Sequence, residues 1–187
     1  MEIEINLKHV SGRPTYFAER MLSNPFFKGT PNHKPLRGAL VGRLPDKAHH
    51  IIDSDKAPKT VTFFTKQFHA NKAKTKLIED CEVFGTEKIV FDWSMSGNTR
   101  VLRIKIGGKK FAEARTYYGI VTYADQVLNL FAKAEGYGEV AEFLDVYDDS
   151  FSGRLLHFTH DRYKQNQKPA KKPASAPASE DEEHGDG

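Results

Sequence analysis

A chain of 187 residues is long enough for one domain of ordinary size with a tail. With 28% charged residues and no long apolar run, its composition excludes a helical membrane protein and predicts a soluble, cytoplasmic one. The single cysteine excludes a disulfide framework and a cysteine-rich zinc site, and the formal charge of +3 permits nucleic-acid binding without requiring it.

The first third of the chain predicts little regular structure. Apolar residues alternate over 3–7, which predicts a strand, and the segment TYFAERML at 15–22 predicts a short helix. Residues 23–58 contain five prolines together with several glycines and histidines, so we expect a long loop there. A loop of this length inside a compact domain is usually functional or poorly ordered.

From residue 59 the pattern becomes β-like. Residues 100–106 alternate strictly between apolar and basic side chains, so one face of that strand should be solvated. Apolar residues at helical spacing predict two helices, at 127–134 and 140–147. The predicted strands are 59–64, 76–84, 87–93, 100–106 and 154–159. We therefore expect an α+β fold: a small, mostly antiparallel sheet or barrel with a helical pair before its last strand.

The C-terminal segment 164–187 has no Val, Ile, Leu, Phe, Tyr or Trp. It cannot bury enough surface to offset the entropy lost on ordering, so we expect a disordered tail beyond a single domain of residues 1–163. Pro, Ala, Ser and Lys come first and the acidic run 180–183 follows. A solubilising extension is the expected role, and an acidic peptide that shields a basic groove is the alternative.

Three segments, in this order, resemble the ASCH superfamily, whose members are related to the PUA domain. KTVTFF at 59–64 resembles the turn and strand that open ASCH domains, and AEGY at 134–137 followed by Glu142 and Phe143 resembles the start of a helix in them. FSGRLLHFT at 151–159 resembles the ending of ASCH-like proteins from Bacteroidetes and their phages and mobile elements. The resemblance implies a PUA-like β-barrel whose cleft binds RNA or a modified nucleotide, in a phage or mobile-element accessory protein.

The literal ASCH pattern G-x-K-x-x-E-x-R also occurs at 108–115. In ASCH domains this motif precedes most of the barrel, and too few residues separate this copy from Gly136 to hold the remaining strands. We therefore interpret 107–115 as a turn and the start of a helix.

The resemblance also implies a site for chemistry. A bacterial branch of the family is an amidohydrolase that acts on acetylated cytidine, and its working residues correspond to Lys59, Thr62 and Glu135. In such a site the lysine activates the threonine hydroxyl and the carboxylate passes a proton to the leaving amine. This chain has Phe64 where the family has an arginine. A deacylase of an N4-acetylcytidine-like nucleoside is thus the first alternative function, and a non-catalytic interaction protein is the second.

Basic and aromatic residues are interleaved over 63–76. Aromatic faces stack on unpaired bases while lysines neutralise phosphates, so this segment predicts a nucleic-acid surface. Buried phenylalanines with a rim of solvated lysines would produce the same pattern. The predicted binding residues are Phe64, Lys66, Phe68, His69, Lys72, Lys74 and, from the closing strand, His157.

The pair His49 and His50, followed by Asp53 and Asp55, raises the question of a metal site. Adjacent histidines in an extended chain point apart, and the sequence has no His-x-x-x-His helix motif. It also contains no Walker motif and no G-x-S-x-G. We therefore expect neither a metal ion nor a cofactor.

Overall fold

A computed structural model describes residues 1–8, 12–24, 28–31, 47–66, 73–160 and 162–163. These residues form a mostly antiparallel α+β fold with three short helices, and none of the three is long and apolar enough to cross a bilayer. In chain order the strands are β1 (Glu2–Glu4), β2 (Thr30–Pro31), β3 (His49–Ile52), β4 (Thr60–Thr65), β5 (Thr75–Glu82), β6 (Gly85–Ser96), β7 (Thr99–Ile106), β8 (Lys109–Tyr117), β9 (Ile120–Ala124) and β10 (Phe151–His157). The helices are α1 (Phe17–Ser23), α2 (Gln126–Glu135) and α3 (Val140–Val146).

The described strands form two sheets. Four strands pair in the order β1-β4-β5-β2, with β1 parallel to β4 and the other neighbours antiparallel. Six strands pair in the order β3-β10-β6-β7-β8-β9 to form a curled, fully antiparallel sheet. Strand β3 therefore lies at one edge of the larger sheet, beside the closing strand β10.

Two cores hold these layers together. Helices α2 and α3 cover one face of the six-stranded sheet, where Phe91, Leu102, Phe131 and Phe143 are fully buried. The second core lies between the four-stranded sheet, helix α1 and strand β10, and it contains Phe17, Met21, Phe63, Leu77 and Phe158. Burial of this apolar surface provides the main driving force for folding.

Strand β7 shows how the alternating sequence pattern gives a strand one buried face and one solvated face. Leu102, Ile104 and Ile106 are buried, while Arg103 on the opposite face is exposed. The solvated face that the alternation predicts is therefore present.

Residues 107–115 do not start a helix, so that interpretation of the second G-x-K-x-x-E-x-R pattern is wrong. Gly107 and Gly108 adopt positive φ values of 59° and 82° and make a tight turn, after which β8 pairs with β7. Ala112 and Ala114 then point into the core in strand alternation. The hairpin pairing overrides the helix propensity of the Lys, Ala, Glu and Arg residues in this segment.

The long loop expected over 23–58 is interrupted by the two-residue strand β2 and by β3, whose four residues pair with β10. The pairing brings the backbones of β3 and β10 close together at Gly153. A Cβ at Gly153 of β10 would overlap the carbonyl oxygen of Ile52 and lie 2.7 Å from the ring of Phe151, so only glycine fits here. Residues 25–27 and 32–46 of the predicted loop and the predicted tail 164–187 lie outside the described residues.

Candidate ligand-binding site

Glu135 is the last residue of α2, and its carboxylate turns back towards strand β3. Gly136, with a φ of 100°, ends the helix and donates its backbone N–H to the carbonyl of Lys133. The backbone N–H of Ile51 donates to Oε1 of Glu135 at 3.2 Å. Because β3 is an edge strand, this N–H is available to a side chain, and the carboxylate is held beside the strand.

Lys47 forms a buried ion pair with this carboxylate. Its Nζ lies 2.9 Å from Oε1 of Glu135 and also donates to the backbone carbonyl of the same residue at 2.5 Å. Only 3% of the Lys47 side chain is exposed. The Lys47 backbone N–H donates to the carbonyl of Arg20, and Asn24 donates its side-chain amide to the carbonyl of Lys47. The pair thus connects α1 to α2.

His49 links the carboxylate of Glu135 to Tyr163, near the C-terminal end of the described residues. Its Nδ1 lies 2.7 Å from Oε2 of Glu135, and its Nε2 lies 3.0 Å from the hydroxyl of Tyr163. Its ring packs on Phe131, with the ring centroids 4.6 Å apart. The neighbouring His50 places Nδ1 3.2 Å from Oε1 of Glu135 without hydrogen-bonding geometry.

The protonation states of the cluster follow from burial and charge. Burial alone would raise the pKa of Glu135, but Lys47 and the two imidazoles outweigh it and hold this pKa well below its usual range. Burial lowers the pKa of His49 to about 4 and also lowers that of His50. Burial lowers the pKa of Lys47 too, and Glu135 opposes the shift. At neutral pH the cluster therefore holds a Lys47–Glu135 ion pair and neutral imidazoles, with His49 donating from Nδ1–H and accepting from Tyr163.

A second buried polar pair adjoins the first. Nε2 of His157 lies 2.9 Å from Oε2 of Glu87, and the backbone N–H of Tyr163 donates to the same oxygen at 3.1 Å. Tyr163 thus connects the two carboxylates, through its backbone to Glu87 and through its hydroxyl to His49. Buried polar groups linked in this way fix the relative positions of the strands and helix that carry them.

A cavity of about 320 Å³ opens beside the first cluster. The aromatic residues Tyr137 and Tyr147 line it together with Phe17 of α1. Burial, with the charge of Glu135 adding to it, raises the pKa values of both tyrosines, so their phenols stay protonated at physiological pH. The remaining lining residues are Glu4, Ile5, Asn6, Lys8, Thr15, Arg20, Lys47, His50, Glu135, Gly136, Asp145 and Val146.

Arg20 is the most unusual residue of this lining. It is 6% exposed, and its Nε and Nη1 have no hydrogen-bond partner among the described residues. Burial lowers the pKa of its guanidinium, and the charge of Glu142 opposes this shift. Glu142 is itself engaged elsewhere, since it accepts from the backbone N–H of Gly138 at 3.1 Å and lies 3.6 Å from Arg13.

The structure does not bring together the three residues that the resemblance assigns to chemistry. Glu135 lines the cavity, whereas Lys59 is exposed just before β4 and Thr62 lies half-buried within β4. Neither of these two lines the cavity. The Lys59 carbonyl accepts from the backbone N–H of Val83, which places this residue on the four-stranded sheet.

The predicted nucleic-acid residues fall into three groups. Phe64 is buried, and Nζ of Lys66 and Lys74 lies 5.8 and 4.7 Å from its ring centroid. Both lysines also form ion pairs, Lys66 with Glu4 at 2.7 Å and Lys74 with Glu2 at 2.6 Å. His157 lies in the buried pair with Glu87. Phe68, His69 and Lys72 lie outside the described residues.

Sequence reasoning missed Lys47, Arg20 and the role of the histidine pair. The segment HHII at 49–52 carried a local signal, because two β-branched residues follow the histidines. The prolines around it favoured a loop instead. Across the described residues, no group of three or more His, Cys, Asp or Glu side chains is arranged to hold a metal ion.

No protein-family model matches this chain, and no curated protein or solved structure matches it either.

Proposed function

We propose that this chain is an ASCH/PUA-like domain that binds RNA or a modified nucleotide, with one base held in the cavity beside Glu135. The observation that carries the proposal is the lining of this cavity. Aromatic side chains form part of its wall, and the buried Lys47 and Arg20 provide polar groups on another part. Proteins recognise unpaired bases by this combination, because aromatic faces stack on the base and polar groups bind its edge.

The size of the cavity favours a single nucleotide over a longer segment of RNA. A volume of about 320 Å³ lies at the lower end of the range for small-molecule sites, roughly 300 Å³ and above. A single-stranded RNA would therefore place one unstacked base in it and leave the flanking nucleotides on the surface. The mostly antiparallel α+β fold is consistent with the PUA-like barrel that the sequence resemblance implies.

Titration calorimetry with a panel of nucleosides, N4-acetylcytidine among them, tests the proposal. We expect one nucleoside to bind, and we expect Tyr137→Leu to weaken its binding by about tenfold or more, the usual size of a lost stacking contact. Tyr118→Leu is the matched control, because this tyrosine is 81% exposed and does not line the cavity. If the folded chain binds no nucleoside and no single-stranded RNA, the proposal is wrong.

A second candidate is the amidohydrolase, and one observation favours it. Thr15, Lys47 and Glu135 line the same cavity, and burial lowers the pKa of the lysine. In this reaction the Thr15 hydroxyl, which donates to the Asn6 carbonyl at 3.1 Å, would attack the acyl carbonyl. Lys47 would take its proton in the deprotonated form that a lowered pKa favours, so only this fraction of the chain would be active. The amine would leave with that proton, and water would then hydrolyse the acyl-threonine to acetate and free threonine. Glu135 would hold Lys47 in place.

Acetate release from N4-acetylcytidine distinguishes the two candidates. If the cavity is the active site, Thr15→Val and Lys47→Met should each lower the rate by on the order of a hundredfold, while Lys59→Ala and Thr62→Ala should not. The reverse result would support the residues that the family resemblance implies. Binding without acetate release would leave the nucleotide-binding function alone. A role for the chain in a phage or mobile element rests on the sequence resemblance only.

A further inference from the structure

Arg20 is a buried cation that forms no ion pair with a described residue. Within the described part of the chain it forms no ion pair shorter than 4.0 Å, although its side chain is almost fully removed from solvent. Burying an unpaired charge is costly, and buried cations in folded proteins are normally paired with a carboxylate or an anion. Lys47, which lines the same cavity, has such a partner in Glu135.

The other charged groups of the cavity do not compensate Arg20. Glu135 is neutralised by Lys47, and the low pKa values of His49 and His50 leave both imidazoles uncharged at neutral pH. Glu142, whose charge acts on Arg20, is held by a backbone N–H and by Arg13.

Three further charged residues line the cavity. Glu4 is paired with Lys66, while Lys8 and Asp145 carry opposite charges. Among the described residues that are buried in the cavity, one positive charge is therefore in excess, on the Arg20 guanidinium.

We propose that the cavity takes a ligand that carries its own phosphate group, a nucleoside monophosphate, and that Arg20 is the residue that neutralises this phosphate. The inference rests on the proposed function for the nucleoside part of the ligand. A guanidinium suits this role because it stays charged and its planar N–H groups match the spacing of phosphate oxygens. A bound phosphate would supply both the counter-charge and the acceptors that the described residues do not give to Nε and Nη1.

Titration calorimetry at pH 7 with cytidine and cytidine 5′-monophosphate tests this inference. We expect the monophosphate to bind at least tenfold more tightly than the nucleoside, and we expect Arg20→Gln to reduce this ratio to about one. Arg13→Gln is the matched control, because it removes a cation of the same kind whose side chain is 75% exposed and does not line the cavity. This control should keep the ratio.

Inorganic phosphate separates the two proposals. It should raise the melting temperature of the native chain and not that of Arg20→Gln, because a ligand stabilises only the state that binds it. Equal affinity for cytidine and its monophosphate would overturn the phosphate inference and leave the proposed function standing. Phosphate binding without any contribution from the nucleoside would keep the anion site and overturn the nucleotide-binding function.

A second variant covers the case in which Arg20→Gln does not fold. Arg20→Lys keeps the charge and loses the planar fork, so it should keep part of the preference for the monophosphate. If neither variant folds, two measurements on the native chain test the inference: the affinity ratio of cytidine 5′-monophosphate to cytidine, and the rise in melting temperature with inorganic phosphate. If the native chain shows neither the preference for the monophosphate nor the rise in melting temperature, the inference is wrong.

Discussion

The carboxylate of Glu135 lies 2.7 Å from Nδ1 of His49, although 86 residues separate them in the chain. This contact joins the C-terminal end of α2 to the edge strand β3. Lys47 completes the junction with its ion pair to the same carboxylate. One side chain thus holds together elements that have no local connection, and it also forms part of the cavity wall.

Removal of the charge on Glu135 should destabilise the fold strongly. Glu135→Gln would leave Lys47 buried without a counter-ion, and breaking a buried pair on one side costs about 3–5 kcal/mol. The midpoint of urea unfolding measures this loss. Glu82→Gln is the control, because its side chain is 48% exposed and its ion pair with Lys28 is at the surface, so we expect a change of less than about 1 kcal/mol.

The double variant Lys47→Met with Glu135→Gln should recover most of the stability that Glu135→Gln loses, since it leaves no buried charge unpaired. A loss below about 1 kcal/mol in Glu135→Gln itself would show that the pair contributes little.

Stability should fall as the pH is lowered from about 6.5 to 4. Burial lowers the pKa of His49 from 6.5 to about 4, so in this window the unfolded chain binds a proton that the folded chain does not. The free energy of unfolding therefore decreases with decreasing pH, by roughly 3 kcal/mol if the whole shift is expressed. The lowered pKa of His50 acts in the same direction, and protonation of Glu135 adds a further loss at lower pH.

Urea unfolding at a series of pH values measures this dependence. His49→Gln, which retains a donor for Glu135, should flatten the curve between pH 6.5 and 4. His160→Gln should not, because this histidine is exposed. An unchanged slope in His49→Gln would mean that His49 does not titrate in this window.

The surface around Phe64 should bind single-stranded RNA weakly, because Glu4 and Glu2 neutralise its lysines Lys66 and Lys74. The double variant Glu2→Gln with Glu4→Gln should therefore raise RNA affinity and steepen its dependence on salt. Each lysine made available to a phosphate adds about 0.7 to the slope.

Fluorescence anisotropy with a short oligonucleotide at several salt concentrations measures this effect. Asp92→Asn with Glu113→Gln changes the net charge equally on the other sheet and should have little effect. The double reversal Lys66→Glu with Lys74→Glu should weaken binding. If all these variants bind RNA with the same affinity and the same salt dependence, this surface is not part of a nucleic-acid interface.

Deletion of residues 165–187 should leave the melting temperature nearly unchanged, because this segment has no large apolar side chain to pack. Tyr163→Phe, just before the deletion, should lower stability by about 1 kcal/mol, since it removes the hydroxyl that bonds to His49. Differential scanning calorimetry compares the two. A loss of several degrees in the deletion variant would show that the acidic run packs on the domain.

Gly153→Ala should cost about 3 kcal/mol, because its Cβ would overlap the carbonyl oxygen of Ile52 and force β3 away from β10. Gly97→Ala is the control: its φ is 59° and nothing lies within 4 Å of the added Cβ, so only backbone strain of about 1 kcal/mol remains. Chemical denaturation measures both. Equal losses would mean that the β3–β10 contact relaxes easily.

The sequence predicted elements well where their own side chains determine them. Strand β7 carries its alternation in its residues, and Leu102 is buried where the pattern places it. Strand β8 could not be predicted in this way, since KKFAEARTY is rich in helix-forming residues. Its strand conformation comes from the turn at Gly107 and Gly108 and from pairing with β7.

The candidate site was less accessible to sequence reasoning. Glu135 stood out through a family resemblance, but Lys47 and Arg20 have no local pattern that marks them. Their importance comes from contacts across 88 residues between Lys47 and Glu135, and from the packing of α1 against the cavity. Burial and pairing of this kind depend on the tertiary fold, which short sequence motifs do not describe.

Glu135 both holds α2 to β3 and lines the cavity, and these two roles limit how this protein can change over evolutionary time. A substitution there that would suit a new ligand also breaks the junction between α2 and β3, so selection acts against it before any new specificity arises. Asn6, Thr15 and Asp145 line the same cavity outside that junction. Divergence among descendants of this chain should therefore begin at these three positions, with the ion pair at the base of the cavity inherited intact.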